Sequence, residues 1–335
     1  MQHIEALKAE LEEPRKIAII PHRRPDADAL GSCLALYNYL ISENHEALVI
    51  SPDEYPDFLK WMEGNEKVKV YENGKQKEIE QFLATADFIF CLDFSSLDRI
   101  EALEKPVAAS KAAKILIDHH PGKEDFATYE LYDTTASATA ELIYDFLKIM
   151  QAEDKMTIGM AECIYAGIMT DTGSFKYAST SSKVHRTIAC LIDKGVTPEK
   201  IHRLIYDTNT ESKIKMLGFV LDQRLKVLRE FNTAYMQISS DDLQRFNSKN
   251  GDTEGLVNYA LSIKGIKLAA LFIDRGDSIT MSFRSVGDFS VSEFASTHFN
   301  GGGHKNASGG KMHPPLEKVT AFFESLLPFY KVQLT

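Results

Sequence analysis

The chain has one tryptophan and four cysteines, and no two of the cysteines form a Cys-x-x-Cys pair. Cys33, Cys91, Cys163 and Cys190 lie far apart and mostly inside apolar stretches, so they read as buried thiols in a reducing compartment. No apolar run approaches the ~18 residues of a spanning helix, and MQHIEALKAELEEPRK at the start alternates charges where a signal peptide would be apolar. The expectation is a cytoplasmic protein with no membrane partner. Basic residues are outnumbered, 38 against 48, for a formal net charge of −10. Such a surface repels long duplex nucleic acid unless basic residues cluster locally. There is no internal repeat and no low-complexity tract. What is present, 335 residues at 44% hydrophobic content, excludes a disordered or collagenous chain and, at about 150 residues per domain, suggests two domains.

After an amphipathic N-terminal helix, short apolar runs at Lys16 to Ile20, Ala47 to Ile50, Phe88 to Leu92 and Ile115 to Ile117 alternate with helical-period segments. That alternation predicts an α/β fold, a mostly parallel sheet with helices on both faces. Helices are expected at Leu30 to Ile41, Ala136 to Met150, Thr157 to Met169 and Ser182 to Lys194. From Pro198 to about Leu228 the pattern is helical and fairly polar. Strands return at Ala234 to Ile238, Leu268 to Ile273 and Ser278 to Phe283, followed by a glycine-dense loop, Gly301 to Gly310, and a last helix from Leu316 to about Phe329. The reading is a catalytic domain over 1–195, a helical connector over 196–229 and a smaller α+β domain over 230–335.

Each early strand is followed at once by polar residues, where open α/β sheets place ligands. His22, Asp26 and Asp28 lie on the turn HRRPDADALGS, in which Gly31 is expected to let the next helix pack closely on the sheet. Asp93 closes FIFCLD, Asp118-His119-His120 closes ILIDHH, and Asp171 opens the turn Asp171-Thr172-Gly173. A single aspartate at a strand end reads as a turn or helix cap. Residues of this kind at four separate ends read as a site. Brought together, Asp26, Asp28, Asp93 and Asp171 would raise one another's pKa, so something cationic is required. Two divalent ions would neutralise four carboxylates, and histidine nitrogen mixed with carboxylate oxygen suits manganese, iron or cobalt better than calcium or magnesium. The chemistry expected of such a pair is in-line attack of hydroxide on phosphorus.

These residues resemble the four ordered motifs of the DHH phosphoesterase family: His22-x-x-Pro25-Asp26-x-Asp28-Ala29-x-Gly31-Ser32, then Asp93, then Asp118-His119-His120, then Asp171-Thr172-Gly173. Ala27 departs from the glycine the family often has there. Downstream, Phe283-Arg284-Ser285 and Gly301 to Gly310 resemble the family's associated C-terminal domain. The resemblance implies one metal on His22, Asp26, Asp93 and Asp171 and a second on Asp28, Asp93, His119 and Asp171, most naturally Mn2+. It also implies that Asp118 orients a histidine ligand and that His120 faces the scissile phosphate, where it would either stabilise a phosphate oxygen or assist the leaving oxygen.

In the C-terminal motif, five glycines give backbone close access to a ligand, and Arg284, Ser285, Gly302, Gly303, His304 and Lys305 are the expected substrate contacts. Two domains suggest a cleft that favours short substrates. The arrangement most resembles the nano-RNases, which implies hydrolysis of dinucleotides to mononucleotides and dephosphorylation of 3′-phosphoadenosine 5′-phosphate. The partners are then short RNA and nucleotides, and the family analogy adds a homodimer. A hydrolase of cyclic dinucleotides or short polyphosphate, and a nucleotide-binding sensor without catalysis, are the alternatives.

Overall fold

Side-chain alternation builds the first sheet. β1 (Lys16–Pro21), β2 (Glu46–Ser51), β3 (Lys69–Val70), β4 (Phe88–Leu92), β5 (Ala113–Asp118) and β6 (Tyr129–Tyr132) pair in parallel, in the order β3-β2-β1-β4-β5-β6. Ile17, Ile19 and Phe90 face one core, and Ala18, Ile20 and Ile89 face another on the opposite side, as a period of two requires. A computed structural model of the chain describes residues 4–72, 74–249, 251–313 and 315–335. It divides into one unit ending at Thr208 and a second beginning at Asn209.

In the first unit, α1 (Ile4–Glu10), α2 (Ala27–Ser42), α5 (Thr139–Ile149) and α6 (Ile158–Asp171) serve the larger core, and α3 (Gln76–Thr85) and α4 (Glu104–Ala109) the smaller. Residues 1–3 of the expected N-terminal helix lie outside the described residues. The parallel sheet with helices on both faces is as expected. The structure adds β3 and β6, which sequence patterning missed. β3 has two residues, and β6 carries a buried Glu130, paired with Lys123 at 2.6 Å, that disguises its apolar character. Gly31 also serves a different neighbour from the one expected. A Cβ there would stand 2.6 Å from the Cys163 carbonyl oxygen, so the close approach is to α6 and not to the sheet.

The second unit carries a mixed sheet: β7 (Leu225–Leu228), β8 (Thr233–Ile238), β9 (Leu268–Asp274), β10 (Ile279–Ser285), β11 (Gly302–His304) and β12 (Ala307–Met312), in the order β11-β12-β10-β9-β8-β7. β8 and β9 run parallel and the other neighbours antiparallel. α9 (Glu211–Gln223) and α11 (Leu256–Leu261) cover one face, and α12 (Val291–His298) and α13 (Leu316–Leu326) the other. Leu243 of α10 (Ser240–Arg245) packs on the core that α9 and α11 cover, and that helix opens with a capping box between Ser239 and Asp242.

Residues 196–229, expected as a connector, are shared out between the units. In α8 (Pro198–Tyr206), which follows α7 (Ser182–Asp193), Ile201 and Ile205 join the first core. Met216 and Val220 of α9 join the second, and β7 is a strand at its sheet edge where only helix was expected. The glycine-dense loop is likewise a hairpin, β11 and β12. Its glycines answer to packing: a Cβ on Gly301 would lie 1.9 Å from the Gly309 carbonyl oxygen, and one on Gly310 would lie 2.8 Å from that of Phe299.

Candidate metal centre

The strand order reverses direction between β1 and β4, and both strands end in site residues, His22 after β1 and Asp93 after β4. Such switch points open a crevice beyond the strand ends. Asp118 ends β5, with His119 and His120 next in the chain, and Asp171 is the last residue of α6. Among the described residues of this unit, three groups of ligand atoms lie within 4.8 Å of one another: His22 with Asp26 and Asp93, Asp28 with His119 and Asp171, and Asp93 with Asp118 and His120. The structure therefore brings together all eight residues that the sequence singled out in this unit. Ala27 begins α2 as a buried helical residue, a setting alanine suits.

Asp93 stands between the first two groups. Its Oδ2 is 3.4 Å from His22 Nε2 and its Oδ1 is 3.6 Å from His119 Nε2. Its backbone is left-handed, φ 67°, a conformation that aspartate tolerates better than most residues. Asp26 does cap a helix, as the plainer reading of a strand-end aspartate has it: its Oδ1 accepts the Asp28 and Ala29 amides at the start of α2. Its other oxygen takes no part in that cap.

The histidines are oriented by carbonyls. His22 Nδ1 donates to the Arg23 oxygen at 2.6 Å, and His119 Nδ1 to the Ala136 oxygen at 3.2 Å, which turns Nε2 of each ring toward carboxylates. Asp118 pairs with His120, not with His119: His120 Nδ1 donates to its Oδ1 at 2.9 Å. The other oxygen, Asp118 Oδ2, is buried without a hydrogen-bond partner among the described residues.

Sequence reasoning missed the start of α5. The amides of Thr139 and Ala140 donate to the two oxygens of Asp28 at 2.7 and 2.8 Å, and the Thr139 hydroxyl donates to Asp93 Oδ1 at 2.7 Å. A helix N-terminus thus holds one carboxylate by both oxygens. Gly167 of α6 makes room for it, since a Cβ there would lie 2.7 Å from Asp28 Oδ1. Glu141 in turn braces the loop before α5, accepting from the Ser137 amide and hydroxyl and pairing with Lys183 at 3.0 Å. The only signal in the sequence was the run of small residues Ala136-Ser137-Ala138-Thr139-Ala140 ahead of a helix.

Electrostatics show what the cluster wants. Burial works against a protonated His22, but its hydrogen bond to Asp93 and the charges of Asp26 and Asp93 prevail and push its pKa up to about 9. Burial opposes His119 too, and Asp171, Asp93 and Asp28 together push it up to about 11. Asp28 goes well above the carboxylate range, through burial first and then the charges of Asp93 and Asp171. Asp93 is also raised by burial, yet His22, His120 and His119 hold it below that range. The carboxylates recruit protons to the imidazoles because cationic charge is wanted at this edge. Imidazole nitrogen and carboxylate oxygen within 4.8 Å of one another form a donor set that fits divalent metal ions.

The expected contacts of the second unit lie at one end of its sheet. Arg284 and Ser285 end β10, Gly302, Gly303 and His304 form β11, and Lys305 sits in the hairpin turn. The Ser285 hydroxyl is buried, donating to the Phe289 carbonyl at 2.7 Å and accepting from Asn306 at 2.8 Å. Lys305 pairs with Asp288 at 3.0 Å. A Cβ on Gly302 would meet nothing within 4 Å, unlike its neighbours.

A model of the DHH family N-terminal domain matches residues 16–168, and one of the DHHA1 domain matches residues 231–330. The chain is 28% identical to the bifunctional oligoribonuclease and PAP phosphatase NrnA of Bacillus subtilis, over 92% of this chain and 94% of that one. It is 29% identical to the protein of the same name from Thermus thermophilus, over 92% and 86%. The solved structure of an exopolyphosphatase-related protein from Bacteroides fragilis matches with a TM-score of 0.95 at 38% identity, covering 99% of this chain and 97% of that one. Both domains in family order, and likeness over nearly the full length of such relatives, mean that the chain belongs to the DHH family and is a hydrolase acting on phosphoester bonds.

Proposed function

We propose that the first unit holds two divalent metal ions, Mn2+ foremost, and that the protein hydrolyses very short RNA, dinucleotides above all, to mononucleotides and dephosphorylates 3′-phosphoadenosine 5′-phosphate. The observation that carries this reading is Asp93, one carboxylate with an oxygen toward each of two histidine-containing groups. His22 and Asp26 would hold one ion, Asp28, His119 and Asp171 the other, and Asp93 both. Mixed imidazole and carboxylate donors favour manganese over magnesium. Bound ions of this kind supply Lewis acidity to phosphoryl oxygens and make water a stronger nucleophile near neutral pH.

The chain's own residues do the rest. Thr139 and the start of α5 fix Asp28 and Asp93 in place, so little reorganisation accompanies the reaction. His120 is raised in pKa, because Asp118 and Asp93 outweigh its burial. It would donate a proton to the leaving oxygen as the new bond from water to phosphorus forms and the ester bond breaks. Arg284 and the β11 hairpin, with His304 and Lys305, would contact nucleotide phosphate in the second unit.

The names of the Bacillus and Thermus relatives support the RNA and nucleotide substrates. The name of the Bacteroides relative favours a second reading, hydrolysis of short polyphosphate. The test is turnover by metal-stripped protein after manganese is restored, on a 5′-phosphorylated dinucleotide, 3′-phosphoadenosine 5′-phosphate, cyclic di-AMP and tripolyphosphate in parallel. Fastest hydrolysis of the dinucleotide supports the first reading. Turnover of tripolyphosphate alone replaces it with the second.

A further inference from the structure

Between His22 and Asp26 the chain runs Arg23-Arg24-Pro25, and both arginines are exposed. Connectivity keeps the Arg24 Cα within about 7.6 Å of the Cα atoms of both His22 and Asp26, two peptide steps either way. A third arginine joins them from the segment beyond Asp93: the Arg23 amide donates to the Arg99 carbonyl at 2.9 Å. That bond places the backbone of Arg99 directly against the turn that carries Arg23 and Arg24. In a chain of net charge −10, three arginines thus share the stretch of backbone next to His22 and Asp26.

Three acids, Glu101, Asp53 and Asp98, lie around them. Glu101 pairs with Arg23. Asp53 accepts the Arg24 backbone amide, and Asp98 takes the Ser96 hydroxyl. Arg24 and Arg99 form no ion pair with a carboxylate among the described residues, which separates them from an ordinary salt-bridged surface. Arg24 is also held left-handed at φ 49° ahead of a proline, a conformation that L-residues disfavour, with its amide fixed by Asp53.

We propose that Arg24 and Arg99, with Arg23 beside them, form a subsite for a second phosphate on the substrate, the 5′-phosphomonoester of the nucleoside whose ester is cut. The inference rests on the reading of the metal centre given above and sharpens it. A 5′-phosphorylated dinucleotide and 3′-phosphoadenosine 5′-phosphate share that group: each is a nucleoside 5′-phosphate with a second phosphate on its 3′-oxygen. One cationic rim would serve both substrates. Planar guanidinium groups bind a phosphate dianion by paired hydrogen bonds, and at a solvent-facing rim they also attract it from a distance.

The test compares matched substrates that differ only in the 5′-phosphate: the dinucleotide pApA against ApA, and 3′-phosphoadenosine 5′-phosphate against adenosine 3′-monophosphate. In the wild type, kcat/KM should favour the phosphorylated member of each pair by at least about tenfold. The doubly substituted R24A/R99A protein, checked for an unchanged melting curve, should bring both ratios down to within about threefold of unity. Titration of manganese-loaded protein with 5′-AMP gives a readout independent of turnover, and the double variant should bind it at least about tenfold more weakly. Ratios and 5′-AMP affinity that the substitutions leave unchanged would overturn the subsite. If the wild type cleaves none of the four substrates, the functional reading fails while the 5′-AMP titration still decides for or against the arginines.

Discussion

The two units use their most unusual residues in opposite ways. At the edge of the first sheet, carboxylates and imidazoles are packed so tightly that histidines hold protons up to about pH 9 and 11, and each orienting bond, from α5 or from a carbonyl, serves to keep them together. In the second unit the glycines that look like a ligand loop are needed where they stand, because Gly301, Gly303 and Gly310 each face backbone atoms within 3 Å of any added Cβ. Crowded like charge has no structural purpose and so points to a ligand. Glycine density has a structural purpose, and Gly302, where an added Cβ would meet nothing within 4 Å, is left over to speak for binding.

The sharpest way to break that comparison is Asp93→Asn. It removes the carboxylate that both histidine-containing groups share and should lower turnover by about a thousandfold or more, roughly 4 kcal/mol of barrier, together with loss of bound metal. Turnover within tenfold of wild type would end the shared-ligand account. Gly167→Ala is next: its Cβ would press on Asp28 Oδ1 and on the Ala140 side chain. Metal affinity should fall by about 10- to 100-fold and stability by about 1–3 kcal/mol, read by metal titration and by melting.

The histidines give a pH signature. Their raised pKa values in the metal-free fold contribute stability that is complete below about pH 6.5, the unfolded value, and is lost as pH rises through about 9 for His22 and about 11 for His119. The raised Asp28 works in the same direction. Metal-stripped protein should therefore melt at progressively lower temperature from pH 6.5 to 9, and manganese should reverse the trend while releasing protons. A melting temperature that climbs over that range would contradict the electrostatics. The smallest effect separates neighbouring glycines: Gly301→Ala should cost about 1–3 kcal/mol of stability, whereas Gly302→Ala should leave melting unchanged and raise KM for a dinucleotide. If Gly302→Ala leaves KM unmoved as well, the hairpin is structural throughout.

Much of the site was legible because it is written in side chains at strand ends. Asp93 after FIFCL and Asp118-His119-His120 after ILI announce themselves by the change from apolar to polar, and the parallel sheet then brings them together. The groups that hold them were not legible, because they act through the backbone. The Thr139 and Ala140 amides and the Ala136 carbonyl leave no trace in residue type. Gly31 showed that a close approach was needed but not that α6 would make it. The β11 hairpin was hidden by glycines that disfavour strands on propensity alone, and β7 by a polar, helical-looking segment around it. At both places tertiary packing decided against local preference.

The most direct test of the central claim is titration of metal-stripped protein with Mn2+, following heat and proton release together. The account predicts two ions per chain with protons released on binding, and loss of both when Asp93 is replaced by asparagine. Binding of no ion, or a stoichiometry and proton release that the Asp93 substitution leaves intact, would contradict it.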